Sequence, residues 1–315
     1  MRWETRITEL LGIQYPIIEG AMAGLGTVEL AVPVSNSGGL GMITAWMLRK
    51  PERLRKAIRK ARSMTNNPFA VNFSPTMDPS LLPMLEVAIE ERVPIIETAA
   101  SRAVEYGERI KSAGLLWIHK VQTVRHALAA ERDGADAVCI MGLEGAGLKS
   151  PNLLTTMVTI PMAAKKLRIP IIAAGGIGDA RGFLGALALG ADAVQLGSVF
   201  CAAKECILAD HRKQALVDAD PYEPRWRDPI LSTPTVEDLQ KVMTASTTNE
   251  MLKAAGKAED FGIPKEAGTG AISLAIGHID EVLSVREILE NMISGAEEIL
   301  STKGIGGWKL SQNNE

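Results

Sequence analysis

Apolar runs of strand length recur along the first two thirds of the chain, each ending at glycine or a small or polar residue. They are PIIEGAM (16–22), GGLGMIT (38–44), PFAVNF (68–73), PIIET (94–98), LLWIHK (115–120), DAVCIMG (136–142), PIIAAGGIG (170–178) and DAVQLGS (192–198). Between them lie stretches with helical periodicity, such as VELAVPVS, ERLRKAIRKARS, SLLPMLEVAIEE, RAVEYGERIKSA and TVRHALAAERDG. Each is long enough to cross back over a sheet. Eight such repeats in about 200 residues predict an α/β fold, a (β/α)8 TIM barrel. An open doubly wound sheet alternates in the same way, but it carries its glycine fingerprint at the first strand-to-helix turn. Here the strongest glycine signal falls after the seventh and eighth runs.

Those two runs flank DARGFLGALALGA, an amphipathic stretch opened by a capping candidate, Asp179. Glycine at the carboxyl end of a parallel strand lets backbone N–H groups approach an anion. Two neighbouring corners of this kind build the phosphate site that many barrels carry after strands 7 and 8. The expected ligand carries a phosphate.

At 315 residues the chain exceeds the typical barrel and has room for an insertion. The pattern assigns residues 1–215 and 276–315 to the barrel and 216–275 to a small helical cap inserted near the C-terminus. The cap opens with the Pro-rich, charged stretch DADPYEPRWRDPILSTPT and continues into a polar helix, VEDLQKVMTASTTNEMLKAA. VREILENMISGAEEILS then returns as a closing helix, its apolar residues at helical spacing.

A net charge of −3 without a basic stripe argues against a nucleic-acid partner. No apolar run approaches the ~18 residues of a membrane span, and MRWETRITELLG lacks a signal-peptide core, so the expectation is a cytoplasmic protein acting on a small molecule. Self-association into a homo-oligomer through the cap stays open. Cys139, Cys201 and Cys206 lack CxxC spacing, and no metal site is expected.

The strand ends offer Ala21 and Met22, Asn72, Thr98, Lys120 and Gly142 to the mouth. Aldol, isomerase or decarboxylase chemistry needs several titratable groups there, and this mouth has few. One amide, one ammonium and several small residues suit a flat heterocycle that brings its own chemistry.

In this order and at these distances, PIIEGAM, GGLG, PFAVN, IHK, GLEGAG (142–147), IIAAGGIGDARG and LGADAVQLGSVF resemble the nitronate monooxygenase (2-nitropropane dioxygenase) family. That family also contains a flavin-dependent enoyl-acyl-carrier-protein reductase and NAD(P)H:quinone reductases. The resemblance spans roughly residues 5–212 and implies FMN as cofactor, with NAD(P)H a candidate electron donor. It places the backbone at Ala21 and Met22 beside the isoalloxazine ring, Asn72 on its polar edge and Lys120 near the N1/C2 region. There an ammonium stabilises the charge left by two-electron reduction. Gly176, Gly197 and Ser198 would hold the phosphate, Gly175 would shape the turn and Gln195 would assist. Ala146 and Gly147 join the cofactor-binding set from the GLEGAG segment.

The sequence departs from the family in three places. Leu148 stands where relatives usually have the histidine proposed as acid/base, with Lys149 after it, and both belong to the expected substrate pocket. Met141 replaces a common Asp or Glu, and Glu19 a common Gln. Lys120 and Glu144 are the remaining catalytic candidates, Glu144 reading equally as a satisfied loop carboxylate. By alternation His119 faces the helices if Lys120 faces the mouth.

The chain therefore reads as an FMN-dependent oxidoreductase of this family without its usual histidine. One alternative is an NAD(P)H-dependent flavin reductase of quinones or enoyl thioesters. A second is a flavin-free lyase or isomerase on a phosphate ligand, and a third a flavin binder whose catalysis has decayed.

Overall fold

A computed structural model of the protein describes residues 2–22, 24–75, 81–100, 102–150, 152–232 and 272–303. Eight parallel strands form one sheet in the order β1-β8-β7-β6-β5-β4-β3-β2, the connectivity of a (β/α)8 barrel. They are β1 (Ile17–Glu19), β2 (Gly41–Thr44), β3 (Phe69–Phe73), β4 (Ile95–Ala99), β5 (Leu116–Val121), β6 (Ala137–Met141), β7 (Ile171–Ala174) and β8 (Ala193–Leu196). All eight apolar runs contain a strand, several of them shorter than the run itself.

A helix crosses back after each of the first seven strands: α2 (Val28–Asn36), α3 (Pro51–Met64), α4 (Leu82–Glu90), α5 (Val104–Ser112), α6 (Val124–Arg132), α7 (Thr156–Ala164) and α8 (Ala180–Ala188). The short α9 (Ser198–Cys201) follows β8. Two helices escape the hydrophobic pattern. The first, α1 (Arg6–Leu11), precedes the barrel and is closed by a reciprocal capping box between Thr5 and Thr8. The second, α7, has the sequence TMVTIPMAA, whose Thr, Val and Ile residues read as strand and whose Pro161 reads as a breaker.

Helix α10 (Asp210–Val217) runs into the segment expected to form the cap, and α11 (Pro224–Leu231) lies within it. The latter falls within the stretch read as Pro-rich and charged, and Pro224 sits at its first turn, where the missing N–H is not needed. The polar helix expected at 236–255 lies outside the described residues. Helix α12 (Val285–Glu298) is capped by Ser284 and Glu287 and packs on α8 and α2, which closes the outer layer.

Two apolar layers share the sheet. Ile18, Leu40, Met42, Ala70, Ile95, Ile118, Ala137, Cys139, Ile172 and Ala193 fill the barrel interior, and their strand neighbours pack outward against the helices. Strand alternation then fixes which polar residues point into the barrel: Thr44, Asn72, Glu97, Lys120 and Gln195 share the inward face. Thr98 does not. It was a candidate for the mouth, yet its hydroxyl lies in the outer layer, accepting from Trp117 Nε1 at 2.7 Å and lying 2.7 Å from His119 Nδ1.

That outer triad has a pH consequence. Thr98 Oγ1 accepts from the indole and keeps its own proton, which a neutral His119 Nδ1 can accept. Burial lowers the His119 pKa from 6.5 to about 4. The folded value is depressed, so this contribution is present above pH 6.5 and is lost as pH falls toward 4. Across that window the protein is expected to lose about 3 kcal/mol through this group. Urea midpoints measured at neutral pH and near pH 4 should show a loss that is smaller in His119→Gln.

The seam between β1 and β2 is one bridge wide, Ile18 opposite Leu40. Leu40 N–H donates to Ile17 O at 2.9 Å and Glu19 N–H to Leu40 O at 2.8 Å. The next rung is made by a side chain, because Met42 N–H donates to Glu19 Oε2 at 3.0 Å. Glu19 is fully buried, and burial pushes its carboxyl well above the usual carboxylate range. By standing in for its own carbonyl, Glu19 makes the rung its main chain does not; beyond it Ala21 packs on the interior cluster, and Met22 Sδ lies 3.3 Å from Cys201 Sγ.

Candidate active site

Above the apolar floor of the barrel lies a polar layer organised by a residue the sequence pattern did not single out. Glu97 Oε1 accepts from Asn72 Nδ2 at 2.7 Å, and Glu97 Oε2 accepts from Gln195 Nε2 at 2.6 Å. Gln195 Oε1 in turn accepts from Cys139 Sγ at 3.2 Å. All four side chains are buried. Lys120, half-buried on the same inward face, sits between Ala99 of β4 and Cys139 of β6 in the register.

Burial raises the Glu97 carboxyl, while the Lys120 charge and the Gln195 and Asn72 amides pull it down. Desolvation also pushes the Cys139 thiol up to about 12, so it serves as a neutral donor and not as a thiolate. Asn72 and Lys120, expected at the ring, therefore meet in one layer with Gln195, which the resemblance had assisting at the phosphate. Glu97 is the carboxylate they share.

The two corners expected to hold a phosphate are neighbours. Ala174 of β7 pairs with Gln195 of β8, so Gly176 and Gly197 lie two residues beyond the same rung. Gly175 and Gly176 adopt φ +105° and +73°, a left-handed pair that side chains with a Cβ rarely follow. Two helices begin here. Asp179 caps α8 by accepting from Gly182 N–H at 2.7 Å, whereas the start of α9 at Gly197 has no side-chain cap. A Cβ at Gly197 would meet nothing nearer than Met22 Sδ at 3.9 Å. The space at Gly197 is therefore open, with Met22 of the β1 loop beside it.

Ser198 is buried, and its hydroxyl receives the Ser273 N–H at 2.8 Å and lies 2.9 Å from Ser273 Oγ. The chain at Ser273, within the stretch expected to form the cap, is thus stapled to this corner. Leu274 N–H donates to Glu144 O at 2.9 Å, and a Cβ at Gly178 would lie 2.7 Å from His278 Cβ. His278, far from the corner in sequence, is brought alongside it. Contacts of Ser273 across 75 residues leave no local signal by which the sequence could have revealed them.

Glu144 and Lys149 come from the loop after β6. The Glu144 carboxylate accepts from Thr156 N–H at 2.9 Å and from Thr156 Oγ1 at 3.0 Å, so it caps the N-terminus of α7. The same hydroxyl lies 3.0 Å from Gly175 O, which ties the loop to the phosphate corner. Lys149 reaches Ser232 O at 3.4 Å, and burial lowers its pKa to about 8. Leu148 is half-buried between them, and Gly147 adopts φ +87° with open space around it. Ala146 is half-buried in the same loop. Met141 faces inward and packs against Gly145. Among the described residues no cluster of three or more His, Cys, Asp or Glu side chains could hold a metal ion, and no helix is long and apolar enough to cross a membrane.

These residues fit FMN. The uncapped helix start and the left-handed glycine pair suit its phosphate, and the layer of amides and one ammonium suits the polar edge of its ring.

Comparison with known proteins agrees. The sequence profile of the nitronate monooxygenase family matches residues 4–295. The chain is 33% identical over 210 residues to (3aS,4S,5R,7aS)-5-hydroxy-7a-methyl-1-oxo-octahydro-1H-indene-4-carboxyl-CoA dehydrogenase of Rhodococcus jostii (strain RHA1), a match spanning 66% of this chain and 58% of that protein. It is 29% identical over 342 aligned positions to a probable nitronate monooxygenase of Staphylococcus aureus (strain JH9), covering 95% of this chain and 93% of the relative. The solved structure of FabK from Thermotoga maritima superposes with a TM-score of 0.79 at 34% identity, over 94% of this chain and 97% of FabK. The chain belongs to the nitronate monooxygenase family and is an FMN-dependent oxidoreductase.

Proposed function

We propose that this enzyme uses FMN for hydride exchange with an activated carbon–carbon double bond, that of an enoyl thioester or a quinone, with NAD(P)H as electron donor, and does not deprotonate neutral nitroalkanes. The observation that carries this reading is the engagement of Glu144, whose carboxylate caps the start of α7, beside Leu148, which brings no proton acceptor. Lys149 makes one bond, to Ser232 O at 3.4 Å, and with a pKa lowered only to about 8 it is mostly an ammonium at neutral pH, a donor to a carbonyl oxygen and not a base. Deprotonating a nitroalkane needs a base within hydrogen-bond reach of its α-carbon. Hydride exchange needs alignment above all.

Bound FMN supplies the two-electron chemistry. In this reading Gly176, Gly197 and Ser198 anchor its phosphate, with Gly175 setting the turn. Asn72 and Gln195 meet its ring from below, Ala21, Met22, Ala146 and Gly147 border it, and Lys120 offers positive charge to its polar edge. Leu148 and Lys149 face the substrate. An apolar side chain beside a half-buried ammonium suits a substrate with an apolar body and a carbonyl oxygen. The Rhodococcus relative, named for a carboxyl-CoA substrate, favours a thioester over a quinone.

The test compares turnover of neutral nitroethane with that of its preformed nitronate, alongside anaerobic reoxidation of the NAD(P)H-reduced holoprotein by an enoyl thioester and by a quinone. The expected kcat on nitroethane lies about a hundredfold or more below that on the nitronate, the scale of a missing general base. Comparable values on both would overturn the reading, as would a reduced protein that neither acceptor reoxidises.

A further inference from the structure

We propose that Glu97 is the positioning residue of the flavin site: its carboxylate orients Asn72 and Gln195 and counters the charge of Lys120, and so holds down the reduction potential of bound FMN. The proposal rests on the reading above, in which the ring lies over this layer. Three residues assigned to the cofactor reach into the barrel from β3, β5 and β8, and Glu97 from β4 lies among them on the same inward face.

Each Glu97 oxygen takes an N–H, from Asn72 at 2.7 Å and from Gln195 at 2.6 Å. These bonds settle how both amides are turned. With Nδ2 engaged by Glu97, Asn72 keeps Oδ1 and one N–H for the ring. With Nε2 engaged, Gln195 turns Oε1 to the Cys139 thiol at 3.2 Å. Each oxygen accepts one amide N–H, and these two bonds with the Lys120 charge favour the ionised carboxylate against the burial that raises its pKa.

The electrostatic consequence has a definite sign. Two-electron reduction places negative charge on the ring, and Lys120 favours that state. A buried carboxylate in the same layer opposes it, and low local polarity keeps the opposition strong. Glu97 therefore moderates the pull of Lys120. Without it, reduced FMN would be held too tightly relative to oxidised FMN, and hydride would pass less readily to an acceptor.

The experiment is a redox titration of the FMN-loaded protein and of Glu97→Gln, Lys120→Gln and the double variant, with FMN dissociation constants for both oxidation states. Glu97→Gln is expected to favour reduced over oxidised FMN by about tenfold or more, a rise of about 30 mV in the two-electron potential. Lys120→Gln should shift it the other way, and the double variant should return toward the wild-type value. If Glu97→Gln holds no FMN, recovery of binding in the double variant supports the proposal and lack of recovery overturns it. An unchanged or lowered potential in FMN-loaded Glu97→Gln overturns the proposal alone. A wild-type protein that binds no FMN overturns the placement of the cofactor as well.

Discussion

Gly197→Val is expected to leave the barrel folded and to weaken FMN binding by about a hundredfold or more. Gly197 has φ −116° and ψ −74°, so its backbone does not depend on glycine. The space where a side chain would go is open, with Met22 Sδ the nearest neighbour at 3.9 Å. Valine at this position would occupy the opening that the phosphate needs. A phosphate pushed away from backbone donors loses charge-assisted hydrogen bonds of about 1.5–3 kcal/mol each, and two of them account for the expected loss. Fluorescence titration with FMN, beside thermal melting of the cofactor-free protein, separates binding from folding. Unchanged FMN affinity would show that the phosphate lies elsewhere.

The second large effect concerns the scaffold. Gly41→Ala is expected to destabilise the protein by about 3 kcal/mol or more, because overpacking against backbone has no rotamer through which to relax. A Cβ at Gly41 would lie 1.8 Å from Ala31 O and 2.5 Å from Ala31 C, the backbone of α2. The helix is pinned at that distance. Ser35 Oγ accepts from Gly41 N–H at 3.1 Å and donates to Pro68 O at 2.9 Å, joining α2 to β2 and to the chain entering β3. Gly185→Ala in α8 is the control, since nothing lies within 4 Å of its Cβ and a glycine-to-alanine change in an exposed helix gains about 1 kcal/mol. Urea denaturation of the two variants should move in opposite directions. A Gly41→Ala protein as stable as wild type would mean that α2 and β2 can separate at little cost.

Both predictions depend on close backbone approaches at glycine, and these were unevenly visible in the sequence. The corners after β7 and β8 stood out because glycine interrupts an apolar run at a strand end, which is a local signal. Gly41 did not, because its necessity comes from a helix ten residues earlier that folds back onto it. Asp179 was readable as a cap for the same local reason, and it does accept from Gly182 N–H.

The polar layer was only half legible. Asn72, Lys120 and Gln195 could be named from the motifs they sit in. Glu97 and Thr98 are adjacent in PIIETAA, a run flanked by apolar or small residues on both sides, and alternation alone does not say which of the two points inward. Pairing of Asn72 with Glu97 across β3 and β4 decides it, and that register is a tertiary fact. Likewise Glu144 reads equally as base or anchor until Thr156 is seen beneath it.

By itself, the sequence determined the barrel and the glycine corners after β7 and β8, because each is written in spacings shorter than one βα unit, and the flavin chemistry through the order of seven motifs that resemble one family. Tertiary structure alone decided which carboxylate lies among Asn72, Lys120 and Gln195, that Glu144 is engaged at the start of α7, and which distant serine closes the corner at Ser198. Those outcomes join residues 12 to 98 positions apart, through contacts that exist only once the sheet has closed and fixed its register.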